Sequence, residues 1–187
     1  MPKAIDANFE LTVARSMLAE LEDYLKSDLT YWQTAPNALG DRMPQLTIGG
    51  LLESLLRAEA TGASDVPPMR AALQSIQARR LDRVLVHIEH EARSRLNSWA
   101  WYLDDQARNP EEAASHYPNE VRARLKAELL LNELERESRG QTERRRAEAL
   151  DERLRQVFVP GAFVWDERLK PFLPEDQFWW LYGKVRS

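Results

Sequence analysis

An all-α bundle of five or six main helices, closed by an irregular aromatic carboxyl-terminal segment, is the fold the sequence predicts. Three observations predict it. Apolar residues recur at three- and four-residue spacing along most of the chain, the period of one helix face. Only 7 glycines and 10 prolines punctuate the 187 residues. And eight of the 16 Phe, Trp and Tyr residues lie from Phe158 onward, where proline and glycine cut the chain into short pieces. At this length the simplest organisation is one domain, residues 1–187, in which a bundle over 1–157 carries the segment 158–187 packed on it. A chain of this size buries roughly 70% of the surface its unfolded form exposes, so it needs no disulfide or metal to fold.

The first helix is expected to begin after Asp6, whose carboxylate can cap the free amides of the first turn. Phe9, Val13, Met17, Leu21 and Leu25 then repeat every four residues, and the pattern fades near Ser27. Residues 28–46 contain prolines, a glycine and an asparagine and cannot form one helix. Tyr31, Trp32, Leu39 and Met43 give this stretch apolar anchors, which makes it either a pinned connection or a binding loop. Thr47 caps a second helix carrying Ile48, Leu51, Leu52, Leu55 and Leu56. Gly49 and Gly50 in its first turn lack the Lys-Ser or Lys-Thr and the preceding strand of a phosphate loop, so close helix approach explains them.

A third helix opens at Ser64 or Asp65, with Pro67 and Pro68 following. From Met69 to Asn109 no glycine or proline occurs, and Leu81, Leu85, Ile88, Ala92, Leu96, Trp99 and Leu103 form a seam. Those ~40 residues would span ~60 Å unbroken, against a domain diameter of roughly 40 Å, so a break near 78–81 or an elongated molecule is expected. Asn109, Pro110, Glu111 and Glu112 spell a helix start, with an interruption expected at His116-Tyr117-Pro118. Residues 121–129 alternate like a strand, yet they are strong helix formers and read as helix to near Gly140. Another helix follows from about Thr142 to Val157, and one brief helix after Pro174.

No catalytic, metal or nucleotide motif appears. The chain has no cysteine, which removes thiol nucleophiles and zinc fingers. The net charge of −4 argues against nucleic acid as the main partner. Arginines from Arg122 to Arg155 are interleaved with acids and read as a solvated helix surface. The amino terminus shows no basic start followed by an apolar run, and no stretch approaches the ~20 apolar residues of a membrane span. A cytoplasmic location without membrane contact is the expectation.

Of the three histidines, His87 and His90 lie one turn apart with Glu91 adjacent, but not at zincin spacing. Both are expected at the helix surface. His116, four residues after Glu112, could join one of them in a single-metal site, although no metal or other cofactor is expected overall. Asp166 and Glu167 follow Trp165 in an aromatic setting; ion pairs to Arg168 or Lys170 are the simpler expectation. Trp99 belongs to the seam, so Trp101, two residues on, must point elsewhere; Trp179 and Trp180 pose the same geometry. The candidate binding residues are therefore Tyr31, Trp32, Trp101, Trp165, Asp166, Trp179 and Trp180. A non-enzymatic interaction or scaffold protein, with a protein partner or a second copy, is the function these features favour. The alternative is a small-molecule or metal-binding bundle enzyme with a pocket between the 28–46 loop, His87 and the carboxyl-terminal segment.

Overall fold

The computed structural model describes residues 4–36, 40 and 43–187. Six α-helices account for most of them: α1 (Ala7–Lys26), α2 (Ile48–Ala60), α3 (Val66–Arg79), α4 (Leu81–Arg108), α5 (Pro110–Arg136) and α6 (Gln141–Val157). An antiparallel two-stranded sheet of β1 (Phe158–Phe163) and β2 (Tyr182–Val185) follows, with 3-10 turns at Glu167–Phe172 and Trp179–Leu181 between its strands. The carboxyl-terminal segment is thus more ordered than its composition indicates. The brief helix expected after Pro174 is the single 3-10 turn at Trp179–Leu181.

Packing divides the chain into two compact units, Ile5–Glu91 and Ala92–Ser187. In the first, Asp6 Oδ1 accepts the amides of Asn8 (3.0 Å) and Phe9 (3.1 Å) and starts α1. Val13, Met17, Leu21 and Leu25 are buried, as their spacing predicts. Phe9 is not; it is half exposed, because α1 turns its first apolar position outward and seats Glu10 on the inner side, where it pairs with Arg57 at 2.7 Å. Thr47 Oγ1 accepts the Gly50 amide at 3.0 Å. A side chain at Gly50 would meet that oxygen at 2.9 Å and Met17 Cε at 3.6 Å, so the glycine permits close helix approach. The neighbouring Gly49 amide donates at 2.8 Å to Glu91, a carboxylate with no exposed surface that the positive end of α2 helps to hold. The glycine- and proline-free stretch breaks at Arg80, between α3 and α4, within the interval expected. Leu81 is exposed rather than part of the seam, since α4 begins there and Val84 takes the first inward place.

The second unit is built on the rest of α4, α5, α6 and the carboxyl-terminal segment. Leu96, Trp99 and Leu103 of α4 are buried, as are Val121, Leu125, Leu131 and Leu134 of α5. The helix expected to end at His116-Tyr117-Pro118 does not end there. α5 runs through Pro118, and tertiary packing outweighs the lost backbone bond: Tyr117 is fully buried and its hydroxyl donates to the Trp180 carbonyl at 2.5 Å. Gly140 takes φ +80 ahead of α6, a left-handed conformation that suits glycine, and a Cβ there would meet Leu134 Cβ at 2.9 Å. Gly183 in β2 has a different reason: a Cβ there would run into the Val159 carbonyl oxygen and sit 2.5 Å from the Phe158 ring.

Among the described residues, no helix is long and apolar enough to cross a membrane.

Candidate functional site

Most of the aromatic and charged side chains singled out by sequence prove to be occupied within the fold. Trp32 donates its indole N–H to Glu20 at 2.7 Å and pairs its backbone with Leu46, while the other Glu20 oxygen accepts the Ala35 amide at 2.8 Å. With Met43 buried, this pins both ends of the 28–46 stretch; Leu39 lies outside the described residues. Tyr31 beside it is half-buried.

Trp165 is buried and donates to the Pro118 carbonyl at 2.7 Å. Asp166 caps the 3-10 turn through the Arg168 amide and pairs with the Arg168 guanidinium at 2.6 Å. Glu167 pairs with Lys170 at 2.6 Å, so the ion-pair expectation for this stretch describes its geometry. Trp180 is buried beneath Arg124, whose guanidinium carbon lies 3.9 Å from the ring centroid. Trp179 is half-buried, edge-on to Phe158, and has Arg155 over its face at 4.7 Å. A cleft of about 270 Å³ opens there, lined by Arg155, Phe158, Pro160, Glu175, Trp179 and Tyr182.

The histidines separate. His87, expected at the surface, is buried: α1 ends against it, with the Tyr24 ring 4.3 Å away and the Ser27 carbonyl oxygen accepting from Nε2 at 3.1 Å. The surface expectation for His87 follows from α4 taken alone; the end of α1 closes over that side of the helix. Burial and the adjacent Arg83 hold its pKa below the usual 6.5, against the pull of the Ser27 and Leu25 carbonyls. His90 is exposed, as expected. Among the described residues, no group of three or more His, Asp or Glu side chains is placed to hold a metal ion.

Trp101 is different. Its neighbour Trp99 has no exposed surface, stacked on Tyr102 at 5.1 Å and tilted against Tyr117 at 6.3 Å. Two residues further round the helix, Trp101 is 72% exposed, more than any other large apolar side chain described. It borders a groove of about 340 Å³ between α4 and α5, lined by Ser98, Trp101, Tyr102, Asp105, Ala113, His116 and Glu120. The bulky Trp99, Tyr102 and Tyr117 rings fill the α4–α5 interface below this groove. Tyr102 forms the floor and donates its hydroxyl to the Ala113 carbonyl at 2.9 Å. Burial raises the Tyr102 pKa, and the negative charges of Glu120 and Asp105 raise it further. Asp105 accepts the Asn109 side-chain amide at 3.1 Å. The groove therefore joins two sequence candidates from separate arguments, Trp101 and His116.

Sequence reading missed one constellation. Arg124, taken for part of a solvated surface, is 2% exposed. It makes a two-point contact with Asp151, both bonds 2.8 Å, and a third bond of 2.8 Å to Glu128. Glu128 and Glu135 in turn pair with Arg144. The signal was present: Tyr117, Val121, Arg124, Glu128 and Leu131 step by four, three, four and three along one face of α5, which places Arg124 among core positions.

No protein-family model matches the chain, and neither does any curated protein or solved structure.

Proposed function

We propose that this chain is a non-enzymatic interaction protein whose docking face is the Trp101 groove. The observation that carries the reading is the contrast along one turn of α4. Trp99 is fully buried while Trp101 stands 72% exposed beside a groove. A tryptophan presents ~150–250 Å² of largely apolar surface, a free-energy cost in water that docking would recover. Tryptophan is enriched in protein interfaces and among their energetic hot spots. The other candidate aromatics support the reading by elimination: Trp32, Trp165 and Trp180 spend their rings or N–H groups on the fold, and Arg155 covers Trp179.

The test compares proteins captured quantitatively by the wild-type chain, by Trp101→Ala and by Phe9→Ala, an exposed ring in the other unit. The reading expects a defined set of proteins lost with Trp101→Ala and kept with Phe9→Ala. Identical sets for wild type and Trp101→Ala would contradict it.

A further inference from the structure

Resting on that reading, we propose that the Trp101 groove receives an arginine-bearing segment of a partner protein, with a guanidinium stacked on the indole and paired with Asp105 and Glu120. Three features point to a cation. The exposed indole offers the most favourable aromatic face for a cation within ~6 Å. Two carboxylates border the same groove, and Glu120 has no ion-pair partner among the described residues. Both bring negative charge to Tyr102, and His116 is the one basic side chain among the described residues on the same lining. The groove's lining among the described residues is Ser98, Trp101, Tyr102, Asp105, Ala113, His116 and Glu120.

The same chain shows how it treats this combination elsewhere. Arg124 lies over Trp180 while binding Asp151 and Glu128, and Arg155 lies over Trp179. At Trp101 the ring and two carboxylates border one groove, and no arginine or lysine among the described residues lines it. Arginine suits the groove better than lysine, because a planar guanidinium can stack on the indole and still direct N–H groups at carboxylates on either side.

Calorimetric titration with a blocked nonapeptide of alternating glycine and arginine tests this. The control peptide carries citrulline, which keeps the shape and loses the charge. The proposal expects measurable binding of the arginine peptide, and at least tenfold weaker binding of the citrulline peptide. Trp101→Ala should weaken binding about fivefold, as expected for an exposed cation–π contact. Asp105→Asn with Glu120→Gln should also weaken it about fivefold or more. Glu137→Gln with Glu148→Gln, which removes the same number of charges from exposed sites, should leave it unchanged.

Equal binding of the two peptides, or equal loss in the control double variant, would overturn the proposal. So would self-association of the free chain through Trp101, seen by sedimentation velocity, since the occupant would then be a second copy. Loss of captured proteins with Trp101→Ala but no arginine-peptide binding would overturn the cation alone and leave the docking face standing.

Discussion

Arg124 carries a buried charge into the core of the second unit. Its charge is buried with Asp151, so removing one partner strands the other. Arg124→Ala is expected to cost about 3–5 kcal/mol, read from urea unfolding. Replacing the pair together, Arg124→Met with Asp151→Leu, should recover most of that loss, since apolar packing can substitute for a buried ion pair. Burial pushes the Glu128 carboxyl up, but Arg124 and Arg144 more than offset it and hold its pKa below the ordinary 4.5. A carboxyl depressed in the folded state stabilises it fully above the ordinary value and loses that contribution as pH falls below 4.5 toward the folded-state value. Wild type should therefore lose stability between pH 5 and pH 3 more steeply than Glu128→Gln, as unfolding midpoints across that range would show. Little of this network is legible in the sequence. Charge alternation in α6 and the second half of α5 mimics a solvated surface, and only the spacing of Arg124 with Tyr117 and Val121 distinguishes it.

Helix starts were legible because their chemistry is local. The carboxylate of Asp6 and the hydroxyl of Thr47 cap the turns directly beside them. Pro118 was misread for the converse reason. Its local cost is real, but α5 is held on both sides of it by Tyr117 and Val121 in the core and by Trp165 bonded to its carbonyl. Pro118→Ala should raise stability by about 1–3 kcal/mol, measured by thermal unfolding, because it restores a backbone N–H inside α5. The two-stranded sheet escaped prediction because its pairing joins residues separated by the two 3-10 turns, and nothing local marks the register of Phe158 with Val185. Gly183→Ala should cost about 1–3 kcal/mol, since the added methyl meets a backbone carbonyl rather than a flexible side chain.

For the whole molecule, sequence correctly indicated that Trp99 and Trp101 could not share one face. It could not indicate which surface lay beyond Trp101. That depends on where α5 and the carboxyl-terminal segment come to rest, and they leave the ring in solvent. An exposed ring contributes little to folding, so Trp101→Ala should change unfolding free energy by no more than about 0.5 kcal/mol. A function carried by Trp101 is then separable from stability. The most direct measurement places a photo-crosslinking benzoylphenylalanine at position 116, which lines the same groove and leaves Trp101 in place, in living cells, with position 9 as the control. The account predicts covalent adducts of discrete mass from position 116, containing a second protein linked through an arginine-bearing segment, and their loss when Trp101→Ala is added. Irradiation that yields no adduct at position 116, or the same adducts from both positions, would contradict it.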